Sequence, residues 1–175
     1  MSIPSLSTYG GYKFPLGLAG QRADASPLTA RSKMNEGAAA IDFGVIVGRG
    51  TAGGIHALQS GDLAEGITMR EANIVASTDG NNTVNYPQNK TVPVVSIGCV
   101  YALACENAKD GDSVVGVVSP GGNYPTGCVG SSATNKADGT TRIATSGMSF
   151  DGAATAGQIC KIRVVNGETR NPDHT

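Results

Sequence analysis

Apolar positions along this chain recur at every second residue in short runs, the period of a half-buried strand rather than of a helix. Residues 41–47 place Ile41, Phe43, Val45 and Val47 on one side. Residues 91–97 form a second run, in which Pro93 predicts an edge or a bulge. After Gly98, residues 99–105 put Cys99, Tyr101, Leu103 and Cys105 on one face. Residues 113–118 are a third run. Residues 159–165 are the cleanest, with Cys160, Ile162 and Val164 facing in and Lys161 and Arg163 facing out. Shorter candidates lie at 55–58, 65–69, 128–129 and 142–145, and glycine-rich or polar turns separate them.

Seven to nine short strands with no interleaved helices predict an all-β fold and exclude a helix-covered parallel sheet. The expectation is a compact β-barrel or jelly-roll-like sandwich over residues 41–165. Its expected core is Phe43, Val45, Val47, Cys99, Tyr101, Leu103, Cys160, Ile162 and Val164.

Residues 1–40 break the pattern. Pro4, Pro15 and Pro27 oppose helix, and Tyr9, Tyr12 and Phe14 lie among glycines together with Leu16 and Leu18. Free disordered tails are poor in aromatics. The reading is an extended N-terminal arm over 1–40 that lies on something. Tyr9, Tyr12, Phe14, Leu16 and Leu18 are its candidate contacts to neighbouring subunits, and packing on its own barrel end is the competing reading. Residues 166–175 read as a polar tail.

Composition narrows the function. Charged residues are 15% of the chain, against about a quarter in ordinary domains, and the net charge is -1. No basic stripe predicts direct nucleic-acid contact, and no run approaches the length of a membrane helix. The N-terminus carries no secretory pattern, so synthesis in a cytoplasm is expected. Cys99, Cys105, Cys128 and Cys160 match neither a zinc knuckle nor a CxxC pair, and read as buried free thiols. No metal and no cofactor is expected.

Catalytic motifs are missing: there is no GxSxG, HExxH or Walker A run. Residues 48–53 (GRGTAG) superficially resemble a phosphate loop but lack the Lys-Ser/Thr ending, so a tight hairpin turn is expected. Glu106, Asp110 and Asp112 could make a weak calcium site, with solvated turn carboxylates as the plainer reading. Tyr86 and Tyr124 are the two residues that could form a carbohydrate-binding platform. The chain is not expected to be an enzyme.

Four patches together carry a family resemblance. Residues 35–47 (NEGAAAIDFGVIV) combine an apolar-small stretch with an "FG-apolar" strand. Gly66-Ile67-Thr68 is a short strand before a long loop. Residues 92–114 end in a Glu-x-Ala-x-x-Gly-Asp-x-Val run, and residues 153–162 (AATAGQICKI) close the domain. The chain thereby resembles the capsid decoration, or cement, proteins of tailed bacteriophages. Ser113 stands where that family more often has proline, and the chain has no Trp. The resemblance implies a structural virion protein, made in the host bacterial cytoplasm, that binds the outside of the major capsid protein shell as a homodimer or homotrimer. A phage tail, fibre or baseplate component is the alternative, and a carbohydrate-binding β module a more distant one.

Overall fold

A computed structural model describes residues 17–71, 85–121, 124–133 and 141–165. Among the described residues, nine strands form one antiparallel sheet: β1 (Thr29–Met34), β2 (Ile46–Arg49), β3 (Ile55–Ala57), β4 (Ala64–Thr68), β5 (Thr91–Leu103), β6 (Ser113–Val118), β7 (Cys128–Ser131), β8 (Thr141–Phe150) and β9 (Ile159–Val165). The described residues contain no helix. The strand order is β3-β2-β4-β5-β9-β8-β6-β7, with β1 paired to β5 off this path. The sheet curls far enough that the Ile46 amide, at the start of β2, donates to the Gly127 carbonyl just before β7 at 2.7 Å.

Curling encloses the main core, built from Ile46, Leu58, Ile67, Val95, Val100, Met148, Phe150, Ile162 and their neighbours. A second cluster contains Ile41, Phe43, Val45, Val47, Ile55, Tyr86, Val92 and Val94. Ile46 and Val47 fall in different clusters, as do Val94 and Val95, so the two clusters lie on opposite faces of the same sheet. That explains why both members of each adjacent pair are apolar. Phe43 and Tyr86 meet edge to face, with ring centroids 5.0 Å apart, and the Arg70 guanidinium sits 4.6 Å from the Phe43 ring centroid. A third, small cluster holds Cys105, Val115, Val117 and Cys128.

Of the expected core residues, Phe43, Val45, Val47, Cys99, Cys160, Ile162 and Val164 are buried. Tyr101 and Leu103 are only half-buried, and here the sequence reading needs correction. Strict alternation from the buried Val95 points inward at 97, 99, 101 and 103. Instead Ile97 is exposed, and Val100, Ala102 and Ala104 face the main core. The cause is a bulge. Ala30 pairs with Val95 but Thr29 with Ile97, so one residue of β5 is skipped, and Gly98 has φ 126°. The extra residue reverses the faces downstream.

Candidate functional site

The part of the expected arm that lies within the described residues runs along β5. β1 pairs with the first half of β5, from Met34 opposite Thr91 to Thr29 opposite Ile97. Further upstream, Gly20 donates to the Tyr101 carbonyl at 2.7 Å, Tyr101 to Gln21 at 2.9 Å, and Ala23 to Cys99 at 3.0 Å. Residues 20–34 therefore form an antiparallel strap down the length of β5. Alternation hid this strap, because β1 is exposed at nearly every position and carries no apolar stripe. The strap also accounts for the burial of Cys99 on the face opposite the main core.

Glycine makes the close approach possible at two points. Gly20 (φ 78°) and Gly44 (φ 66°) lie back to back, and a Cβ on Gly44 would sit 2.5 Å from the Gly20 amide nitrogen. A Cβ on Gly17 would sit 2.3 Å from the Tyr101 ring. The chain thus passes directly over Tyr101 where the strap begins.

Charge ties the strap across the sheet. The Lys161 ammonium lies 2.7 Å from an Asp24 carboxylate oxygen and 2.8 Å from one of Asp151. Arg163 reaches Asp151 at 3.5 Å. Lys161 holds the carboxyls of Asp24 and Asp151 well below the usual aspartate range, and the two carboxylates raise the ammonium's own value. Asp24, Cys99 and Asp151 bring their ligand-type atoms within 4.8 Å of one another. The position between the two carboxylates is taken by Lys161, so the trio is an ion-pair bridge rather than a place prepared for a metal.

Other candidate sites are used internally. The Gly-rich turn after β2 cradles an anion, and that anion belongs to the chain itself. The Glu36 carboxylate accepts from the amides of Gly54 at 2.6 Å and Ala52 at 3.3 Å. Asp112 accepts from the Lys109 amide and the Ser131 hydroxyl, and Asp110 from the Gly152 amide. Buried Glu106 forms a two-pronged pair with Arg142. The three carboxylates considered for calcium therefore serve three separate tasks. Tyr86 is buried and donates its hydroxyl to the Met69 carbonyl at 2.5 Å. It cannot offer a ring to sugar, and Tyr124 packs against the third cluster.

Among the arm candidates, Leu18 is 51% exposed at the start of the strap. Tyr9, Tyr12, Phe14 and Leu16 lie outside the described residues. Exposed apolar side chains elsewhere include Met34, Leu63, Ile97 and Val165. Ile97 and Val165 face each other across β5 and β9.

Comparison with known proteins resolves what this β body with its strap belongs to. Residues 6–165 match the family model described as structural cement protein (E217 gp24/Pam3 gp6). The chain belongs to the phage structural cement protein family. Among solved structures, a chain from "The capsid of Myoviridae Phage XM1" superposes with a TM-score of 0.63 at 18% identity. The match covers 88% of this chain and 93% of that one, and at this identity it shows a shared fold. A search of curated proteins gives no match. As a cement-family member the chain is a capsid-stabilising structural protein of the virion. That sets aside the tail, fibre or baseplate reading.

Proposed function

We propose that this protein clamps the outer surface of the phage head at junctions between major capsid protein subunits, as a homodimer or homotrimer, and does so without catalysis. The observation that carries the reading is the strap. Residues 20–34 are fixed to β5 by main-chain bonds and by the Asp24–Lys161–Asp151 bridge, and this leaves Leu18 exposed at a rigid exit point. A segment anchored this way delivers Tyr9, Tyr12, Phe14, Leu16 and Leu18 to a neighbouring subunit at high effective concentration. Aromatic and aliphatic anchors supply most of the energy in such contacts.

The body contributes area. A low-charge, glycine-rich surface allows close backbone approach, and a virion outer-surface protein needs many weak contacts repeated around the shell rather than one reactive group. Joint substitution of Tyr9, Tyr12 and Phe14 by Ser in the full chain tests the arm. Binding to undecorated shells of the major capsid protein should weaken at least tenfold, on the order of what one lost anchor costs, while the far-UV spectrum of the β body stays unchanged. Unchanged shell affinity would remove the arm from the proposal.

A further inference from the structure

Two of the four cysteines meet in space. Cys105 and Cys128, well separated in sequence, share the third buried cluster with Val115 and Val117. Their thiols touch: contact with Cys105, and then burial, pushes the Cys128 thiol up. The other two cysteines are engaged elsewhere. Cys99 lies by Asp24 under the strap, and Cys160 donates to the Ala102 carbonyl at 3.4 Å inside the main core.

Main-chain bonds hold the pair in place. Cys105 follows β5, and its amide donates to the Val129 carbonyl at 3.0 Å, with its thiol directed at the same oxygen at 3.3 Å. Ala104 and Val129 form a parallel bridge. Cys128 opens β7 opposite Val117 of β6, and its amide donates to the Pro125 carbonyl at 3.1 Å. The contact therefore sits on a seam of the sheet. β7 ends the strand order, and at this bridge its outer edge meets the chain leaving β5.

We infer that Cys105 and Cys128 are a latent cross-link, reduced in a reducing medium and joined in an oxidising one as a disulfide that staples β7 to the end of β5. For a virion protein made in a host cytoplasm, the change of medium comes at release. The chemistry is thiol–disulfide exchange, with a small disulfide as the oxidant. Cys105 is 6% exposed and Cys128 is fully buried, so Cys105 reacts first. Its thiolate attacks one sulfur of the oxidant, which forms a mixed disulfide and expels one small thiolate. The Cys128 thiol then gives its proton to solvent, and its sulfur attacks the Cys105 sulfur and expels the second small thiolate. The protein gives up two electrons and two protons, and the oxidant is reduced to two thiols. Burial slows the first step, because little thiolate is present. Contact between the thiols favours the second, which is intramolecular.

The test treats the full folded chain with oxidised glutathione and then blocks the remaining thiols with iodoacetamide in denaturant. Two thiols should disappear, the intact mass should fall by two hydrogens, and peptide mapping should join Cys105 to Cys128. The thermal midpoint of the joined protein should rise by roughly 5–10 °C and fall back on reduction. Cys105 shares a tryptic peptide with Cys99, so Cys99→Ala is the control and should keep the link, whereas Cys128→Ser should lose it. If Cys128→Ser does not fold, the map of the unsubstituted protein still decides. Four alkylated thiols after prolonged oxidation of the folded chain, glutathione retained on Cys105, or a link from Cys105 to Cys160 would overturn the inference. A Cys105–Cys128 link that leaves the thermal midpoint unchanged would overturn its role as a staple. Shell binding is a separate measurement, so the capsid reading stands or falls apart from this one.

Discussion

Lys161 on β9 holds Asp24 of the N-terminal strap at 2.7 Å, and through Asp151 at 2.8 Å it also holds the turn after β8. One ammonium thus joins the N-terminal strap to the hairpin of β8 and β9, which lies far from it in sequence. Replacing Lys161 by Met should loosen the strap without unfolding the sheet. Hydrogen exchange should then accelerate at the amides of Gly20 and Ala23, which bond to β5, and stay unchanged at the β5–β9 ladder. Equal protection in both proteins would show that main-chain pairing alone holds the strap.

The same bridge sets a pH window. The carboxyls of Asp24 and Asp151 are lowered from 3.8, so their contribution is present above that value and is lost as pH falls below it. Lys161 is raised from 10.5, so its contribution is present below that value and fades above it. Strap protection should therefore be flat from roughly pH 4 to 10 and decline on both sides. Exchange measured at the Ala23 amide, corrected for intrinsic pH dependence, checks this.

Glu106 is buried and its two oxygens meet two nitrogens of Arg142. Arg142→Met leaves that carboxylate without its two-pronged partner and should cost about 3 kcal/mol. In a chain of this size that is a fall of roughly 6–12 °C in the thermal midpoint. Joint replacement of Glu106 by Leu and Arg142 by Met should recover much of the loss, because no charge is then left buried at that place.

Gly98 sits at φ 126°, and a Cβ there would lie 3.1 Å from the Leu28 Cα and the Pro27 carbonyl oxygen of the strap. Gly98→Ala should destabilise the protein by about 1–3 kcal/mol. Denaturant unfolding measures the loss. A neutral result would mean that the bulge can shift along β5.

None of the four cysteines forms a disulfide, and all are buried. Burial pushes the Cys160 thiol up to about 12, and the Cys128 thiol is raised by the adjacent Cys105 thiol and then by burial. Cys99 is raised by burial and by Asp24. At pH 8 the folded protein should react with a thiol-disulfide reagent far more slowly than the unfolded chain, in which four thiols react.

Much of the sheet was readable from alternation. Residues 113–118 and 159–165 matched β6 and β9 to the residue, because each keeps one strand period with no interruption. β8 was longer than the short run at 142–145, since Thr141, Thr145, Ser146, Gly147 and Ser149 interrupt its apolar pattern and it needs β6 and β9 to define it. Tyr101 and Leu103 went to the wrong face because a bulge leaves no mark on local apolarity.

By itself the sequence determined the class of fold, the positions of most strands, the absence of catalytic motifs and the family resemblance. All of these depend on the period-2 pattern, turn residues and short motifs, which act over a few neighbours. Tertiary structure alone decided that residues 20–34 strap β5, that Glu36 fills the glycine-rich turn and that Lys161 joins two aspartates. Each depends on groups brought together from distant parts of the chain, and only the curled sheet fixes which donor meets which acceptor.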